Sequence, residues 1–326
     1  MKYAVIGTSW ITKAFIEGTR LSGKMQLAAV YSRSIEHARQ FGVAYGCDVA
    51  FDNLDTLAAY DGIEAVYVAS PNSLHYAQCK LLLKNGKHVL CEKPITVTLE
   101  QYDELAELAD KNGLVYMEAI MFMHHPQLDK IKQAMGKLGK ITTARLDFSQ
   151  LSSKYDALVQ GERPNVFSPD FAGGSLLDMS AYCLYPAVEW FGDPDAVFAH
   201  AGRVSTGADG YVNGLLVYKD RQVNVTMSKI GQSRIGSEVM GDKGTLVVEY
   251  LVLMSGVWLV DREGNRQRVI EDVPREVLMG AEADDFAWYV RERGKYELEY
   301  RYMQKRARQV VKAMDAMYKM IMDVPR

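Results

Sequence analysis

The segment Cys91-Glu92-Lys93-Pro94 closes an apolar run, His88–Cys91, with a lysine placed directly before a proline. Proline disfavours the α region for the residue that precedes it, so Lys93 is expected in extended backbone at a strand exit. An ammonium held there can donate a hydrogen bond to a substrate oxygen and lower the pKa of a neighbouring acid. The alternative is an ordinary surface lysine before a loop. A second exit, Ser70-Pro71-Asn72-Ser73-Leu74-His75, follows the run Ala65–Ala69. Both exits are expected beside the carboxyl ends of parallel strands, where open α/β sheets bind ligands.

A third segment suggests which ligand. The run Tyr3–Ile6 ends in Gly7-Thr8-Ser9-Trp10-Ile11-Thr12 and is followed by a helical pattern. This is the position of a dinucleotide-binding turn, where the amides of a helix N-terminus meet a pyrophosphate. The usual spacing would place glycine at 7, 9 and 12, and only Gly7 is present. Ser9 restricts backbone approach but offers a hydroxyl to a phosphate oxygen, and Thr12 is small enough for helix–strand packing. A plain strand–helix turn with a Ser or Thr cap is the competing reading. The second run, Leu27–Tyr31, leads into Ser32-Arg33-Ser34 without the acid that accepts from a ribose 2′-hydroxyl. Hydroxyls and a guanidinium suit a 2′-phosphate, which favours NADP over NAD. Alternatively, Ser34 caps the helix beginning Ile35-Glu36-His37 and Arg33 stacks on adenine.

The elements that must position these segments follow from periodicity. Short apolar runs at Tyr3–Ile6, Leu27–Tyr31, Ala65–Ala69, His88–Cys91 and Val115–Glu118 alternate with helical stretches. These include Ser73–Lys84, with Leu74, Ala77, Leu81 and Leu82 on one face, and Leu99–Asn112, with Leu105, Leu108 and Ala109. The alternation predicts βαβ units and a parallel, doubly wound sheet. Beyond about residue 140 the rhythm becomes that of longer strands joined by tight turns: Ile141–Leu151, Val197–Ser205, Gly214–Lys219, Val223–Ser228, Gly244–Tyr250 and Val257–Asp261. A mainly antiparallel sheet is expected there, followed by helices from about Ala281 to Arg293 and from Tyr302 to Ile321. The fold class is thus α/β followed by α+β. The expected division is a dinucleotide-binding domain over residues 1–120 and a substrate-binding and oligomerisation domain over 121–326, with the last helices able to pack back on the first. An intimate interface between the domains is expected, since no low-complexity linker separates them.

Composition removes other classes. With 326 residues the chain suits two domains. A hydrophobic content of 48% and a formal net charge of −3 argue against disorder and against a general pull toward nucleic acid or anionic membrane. No apolar stretch approaches the roughly 20 residues of a membrane span, and the run Met1–Gly7 is not expected to act as a signal segment. Cys47, Cys79, Cys91 and Cys183 are scattered, so neither a disulfide framework nor a structural zinc is expected, and a cytoplasmic location fits.

Taken in order, Gly7-Thr8-Ser9-Trp10-Ile11, Ser70-Pro71-Asn72-Ser73-Leu74-His75, Glu92-Lys93-Pro94 and Gly173-Gly174-Ser175-Leu176-Leu177-Asp178 resemble the glucose-fructose oxidoreductase / inositol dehydrogenase / rhizopine catabolism (Gfo/Idh/MocA) family. The site residues are most similar to those of its dimeric dihydrodiol dehydrogenase-like members. The resemblance spans nearly the whole chain. It implies a Rossmann domain followed by an α+β domain with a large open sheet that often forms a subunit interface, hence a homodimer or homotetramer. It also implies hydride transfer between a nicotinamide cofactor and a sugar, polyol, vicinal diol or related carbonyl compound. On this basis Gly7, Thr8, Ser9, Trp10, Ile11, Ser32, Arg33, Ser70, Pro71, Asn72, His75, Glu92 and Lys93 are expected to bind cofactor.

The same resemblance puts the second half of the site in Asp178-Met179-Ser180-Ala181-Tyr182. If that segment is helical, Asp178 and Tyr182 share a face. Tyr182, where many relatives carry histidine, would protonate the carbonyl oxygen in the reductive direction. Lys93 would polarise the carbonyl, and Asp178 would orient substrate or hold the lysine, the trio coming from two sides of a domain cleft. Two departures stand out: Ala172 and Ser180 occupy positions where relatives often have glycine. His124, His125, Arg163 and Asn165 are lesser candidates for substrate contact. No His or Cys spacing suits a metal. Tyr76 and Lys80 imitate a Tyr-x-x-x-Lys pair without its expected surroundings and are read as coincidence. The stripe Val310, Val311, Met314, Met317, Tyr318 and Ile321 reads as core or a docking face. The competing class is a non-catalytic dinucleotide-sensing regulator of the same fold.

Overall fold

A computed structural model describes residues 1–323 and divides into two compact units: residues 1–124 with 274–308, and residues 125–273 with those from 309 onward. In the first unit, strands β1 (Lys2–Ile6), β2 (Gln26–Tyr31), β3 (Ala50–Phe51), β4 (Ala65–Val68), β5 (His88–Glu92) and β6 (Tyr116–Ala119) form one parallel sheet in the order β3-β2-β1-β4-β5-β6. The connecting helices are α1 (Trp10–Ser22), α2 (Ile35–Ala44), α3 (Leu54–Ala59), α4 (Asn72–Lys84) and α5 (Leu99–Lys111). Strands β1 and β4 are buried along nearly their whole length, as a sheet covered on both faces requires.

The inward face of α4 differs from the one expected. His75, Gln78, Cys79, Leu82 and Leu83 are buried, whereas Leu74 is exposed. The rotation by one residue has a polar cause. His75 finds two carbonyl partners inside, so the helix buries a histidine in preference to a leucine.

The second unit contains α6 (Leu128–Met135), α7 (Tyr155–Val159) and α8 (Ser175–Phe191). Its strands are β7 (Ile141–Ser149), β8 (Ala196–Arg203), β9 (Asp209–Tyr218), β10 (Arg221–Ser228), β11 (Ser237–Gly241), β12 (Gly244–Tyr250), β13 (Ser255–Asp261) and β14 (Arg266–Arg268). They form a sheet in the order β14-β13-β12-β11-β7-β10-β9-β8, antiparallel except where β7 pairs with β10. Strand β11 went unread in the sequence because Ser237-Glu238-Val239-Met240-Gly241 is short and only weakly alternating. Strand β9 begins at Asp209, earlier than expected. Leu146, Val223, Val225, Leu246 and, on α8, Leu184 and Val188 are buried and make the core.

The chain closes with α9 (Arg275–Arg291) and α10 (Arg293–Asp323), the latter broken at Tyr296 by non-helical backbone. The stripe Val310, Val311, Met314, Met317 and Ile321 on α10 is buried, with Tyr318 half-buried, and is therefore core.

In the first unit α9 packs on α1 in the same direction. Arg275 lies by Trp10, Gly280 by Gly18, and Asp284 pairs with Lys24 at 2.7 Å, so residue numbers rise together along both helices. The approach needs glycine at the crossing. A Cβ on Gly18 would stand 2.8 Å from the Gly280 nitrogen and 2.9 Å from the Glu276 carbonyl oxygen. Substituting Gly18→Ala should destabilise the protein by about 1–3 kcal/mol through overpacking against backbone that cannot yield, read as a lower urea midpoint.

Glu282, also on α9, is almost fully buried, and neither carboxyl oxygen has a hydrogen-bond partner of good geometry. Burial, and then the charge of Glu92, raise its pKa well above the ordinary 4.5, so it is held neutral. A carboxyl raised on folding contributes stability that is complete below its unfolded value and is lost as pH climbs toward its folded one. Wild type should therefore lose stability as pH rises above the ordinary value of 4.5, so that stability slopes downward with pH because of this group. Glu282→Gln should flatten that slope in urea titrations, and equal slopes in the two proteins would refute the assignment.

Candidate active site

Register brings the expected segments of the first unit to one edge. Ile6 stands opposite Tyr31 and Val68, Val68 opposite Cys91, and Glu92 opposite Ala119. Gly7, Ser32, Ser70 and Lys93 therefore all leave the sheet at its carboxyl edge. The strand order reverses at β1, between β2 and β4, which is where such sheets bind ligands.

At the first exit Gly7 has φ +103°, and a Cβ there would overlap the Ala69 carbonyl oxygen. Glycine is needed at this position. Ser9 is different: its backbone is extended, with φ −81°, and its hydroxyl does not cap α1. The first turn of α1 holds no acid, so its free amides and the Ser9 hydroxyl form a neutral-to-positive donor set that suits a pyrophosphate. Thr12 is fully buried with an unpartnered hydroxyl and fills the helix–strand contact where the usual motif has glycine. At the second exit Ser34 caps α2 by accepting from the His37 amide at 3.3 Å, while Arg33 is exposed. Burial raises the Tyr31 pKa; Arg33 lowers it and Asp52 raises it, so both charges lie near this corner. Asp52, just past β3, is an acid that strand-exit reasoning on β2 had not considered.

The exits of β4 and β5 are tied together by His75. Its Nδ1 lies 2.9 Å from the Pro94 carbonyl oxygen and its Nε2 2.9 Å from that of Ser70. A neutral ring donates to only one of them. Burial holds its pKa below the ordinary value, with the charge of Lys93 acting the same way. The Ser70 hydroxyl donates to Gln78 Oε1 at 2.7 Å. Lys93 follows β5 as expected, joined to Pro94 by a cis peptide bond. The residue before it, Glu92, accepts from the Tyr67 hydroxyl at 2.5 Å, and the amide of Ile95 donates to Glu118 Oε1 at 2.8 Å. Buried carboxyl groups thus hold the chain on both sides of Lys93. Neither Tyr67 nor Glu118 was read from the sequence, because each lies on another strand.

In the second unit α8 does place Asp178 and Tyr182 one turn apart on one face. Its start is held by Asp209, whose Oδ2 accepts from the Leu176 amide at 2.7 Å; burial raises the pKa of this aspartate. Ala172 just before α8 has φ +51°, a left-handed conformation that costs an L-residue about 1–2 kcal/mol. Glycine would adopt that conformation without strain. Ser180 is fully buried and its hydroxyl lacks a partner. The ring of Tyr182 packs edge-on against Phe148 at 4.9 Å.

Asp178 is ion-paired with Lys229, a residue absent from the sequence reading. Lys229 follows β10 and is 6% exposed. Its amide donates to Gly210 O at 2.9 Å and to the Ser175 hydroxyl at 3.2 Å, which fixes its backbone against the start of α8. Fifty-one positions separate it from Asp178, a distance across which no sequence spacing carries a signal.

The lesser candidates divide. His124 is buried and its Nδ1 meets Asp285 at 2.6 Å; His125 is buried, accepts from the Gln127 amide at 3.1 Å, and has a pKa lowered by burial. Arg163 and Asn165 are exposed. Tyr76 and Lys80 join Glu104 in a polar cluster linking α4 and α5, a structural arrangement.

Comparison with known proteins agrees with this geometry. Residues 1–120 match the model of the GFO/IDH/MocA oxidoreductase family with an NAD-binding Rossmann fold, and residues 130–247 match a GFO/IDH/MocA C-terminal domain. The chain is 38% identical to the oxidoreductase YgjR of Escherichia coli (strain K12), over 90% of this chain and 89% of that one. It is 36% identical to the scyllo-inositol 2-dehydrogenase (NADP(+)) IolU of Bacillus subtilis (strain 168), with the same coverage of 90% and 89%. In fold it is similar to KijD10, a 3-ketoreductase from Actinomadura kijaniata, with a TM-score of 0.86 at 23% identity over 98% of each chain. With both domain models matched in order and more than a third of positions shared along nearly the full length of such relatives, the chain belongs to the GFO/IDH/MocA oxidoreductase family.

Proposed function

We propose that this protein is an NADP-preferring dehydrogenase or reductase of a sugar, a polyol or a related vicinal diol. The observation that carries the reading is the Asp178–Lys229 pair on the same helical face as Tyr182, in a chain that also presents Lys93 at a parallel-sheet exit. The buried Lys229 ammonium fixes the direction of the Asp178 carboxylate, which stands on the same helical face as Tyr182. The activity in the name of the scyllo-inositol relative supports a polyol-like substrate and NADP.

The phosphate-loop residues Gly7 to Ile11, with Ser70 to Asn72, would hold the dinucleotide, and Ser32 and Arg33 its 2′-phosphate. When bound, it supplies hydride to the substrate carbon or accepts hydride from it. Lys93 Nζ donates to the substrate oxygen and stabilises negative charge as it develops there. The Tyr182 hydroxyl gives that oxygen its proton in reduction and takes it back in oxidation. Asp178, held by Lys229, accepts from a neighbouring substrate hydroxyl and sets its orientation. Arg163 and Asn165 are proposed as outlying substrate contacts, ahead of the buried His124 and His125. Assembly of copies through the eight-stranded sheet accompanies this reading, and light scattering measures it.

Activity should be measured on aldoses, ketoses, inositols and vicinal diols with each dinucleotide. Lys93→Met and Tyr182→Phe should each lower kcat on the preferred substrate by roughly a hundredfold to ten-thousandfold. Tyr182→Phe should leave dinucleotide affinity unchanged. Turnover that survives both substitutions would remove the mechanism. Arg33→Ala should reduce the preference for NADP over NAD by about tenfold, since a charge-assisted contact to phosphate is lost; an unchanged ratio would remove the 2′-phosphate assignment.

A further inference from the structure

We propose that Arg275 is a pyrophosphate ligand, completing a loop that has lost two of its three usual glycines; the assignment rests on the dinucleotide reading above. Trp10, the first residue of α1, is 64% exposed, unusually open for a tryptophan. The guanidinium of Arg275 lies over its ring, 5.2 Å from the centroid. A guanidinium held over an aromatic face by cation–π attraction leaves its N–H donors available to another acceptor. No carboxylate is paired with Arg275 among the described residues.

The placement is set by the core rather than by a flexible side chain. Gly18 and Gly280 lock α9 onto α1, and the two helices run in the same direction. Arg275 is the first residue of α9, so its backbone is carried to the end of α1 where Gly7–Thr12 sits. That loop contains no charged side chain, and the first turn of α1 holds no acid. Lys13 in the next turn is exposed, and Glu276, which follows Arg275, is the acid in the first turn of α9.

The chemistry fits the deficit. Serine in place of the second glycine limits how closely backbone amides approach a phosphate. A guanidinium supplies two parallel donors and a full charge to the same oxygens without needing that approach. Trp10 serves as the platform that holds it.

The test is equilibrium binding of NADP+, NAD+ and adenosine 2′-monophosphate, which lacks the pyrophosphate, by calorimetry or by competition. Arg275→Gln should weaken both dinucleotides by about tenfold or more, as loss of a charged hydrogen bond does, and leave adenosine 2′-monophosphate unchanged. Its affinity for NADP+ should also fall less steeply with added salt. Arg275→Lys should recover part of the loss, because the ammonium keeps the charge without the fork. Dinucleotide affinity equal to wild type in a folded Arg275→Gln protein would overturn the proposal, as would equal weakening of all three ligands. A wild-type protein that binds neither dinucleotide would overturn the dinucleotide reading, and this assignment with it.

Discussion

A parallel strand can return to its own sheet only through a crossover on one of the faces, so every strand in such a sheet delivers its carboxyl end to the same edge. The first unit depends on that constraint. Ile6, Tyr31, Val68 and Glu92 are strand ends in register with their neighbours, and the residues that follow them share an edge although they are scattered from Gly7 to Lys93. The covering helices are held to the sheet by apolar burial, but the polar residues at the edge are positioned by specific bonds. His75 bridges the exits of β4 and β5, and Gly7 lets β1 pass the Ala69 carbonyl.

Both units handle buried acids by the same physics. An ionised carboxylate taken from water needs donors or a counter-charge, or it keeps its proton. Glu92 has the Tyr67 hydroxyl and Glu118 the Ile95 amide, whereas Glu282, with no hydrogen-bond partner of good geometry, has its pKa raised by burial. In the second unit the buried Asp209 is satisfied by the amide at the start of α8, and the buried Lys229 is paired with the partly exposed Asp178. The acids around Lys93 hold the chain on both sides of it, while Lys229 holds the side chain of Asp178 directly.

Much of this was legible from residue order. The alternation of short apolar runs with helical patterns gave the parallel sheet, because a strand buried on both faces must be apolar throughout. The placement of Lys93 before proline located the exit of β5, and four-residue spacing located Asp178 and Tyr182 on one face. Where patterns failed, a tertiary bond had overridden them. Helix α4 turned inward on His75 rather than Leu74, and Ser237–Gly241 became a strand because β7 and β12 were both there to pair with it. The left-handed backbone of Ala172, which glycine would adopt without strain, could not be read from residue order.

The sequence by itself determined the fold class and the family, and it singled out Lys93, Asp178 and Tyr182, because periodicity and short motifs are local properties of a chain. Tertiary structure alone decided that Lys229 belongs to Asp178, that Tyr67 binds Glu92 and Glu118 binds the Ile95 amide on either side of Lys93, and that Arg275 stands over Trp10. Those partners are separated by 23 to 265 positions. Contacts of that kind arise from strand register and helix crossing, which depend on many weak interactions summed over the whole core, so no short stretch of residues records them.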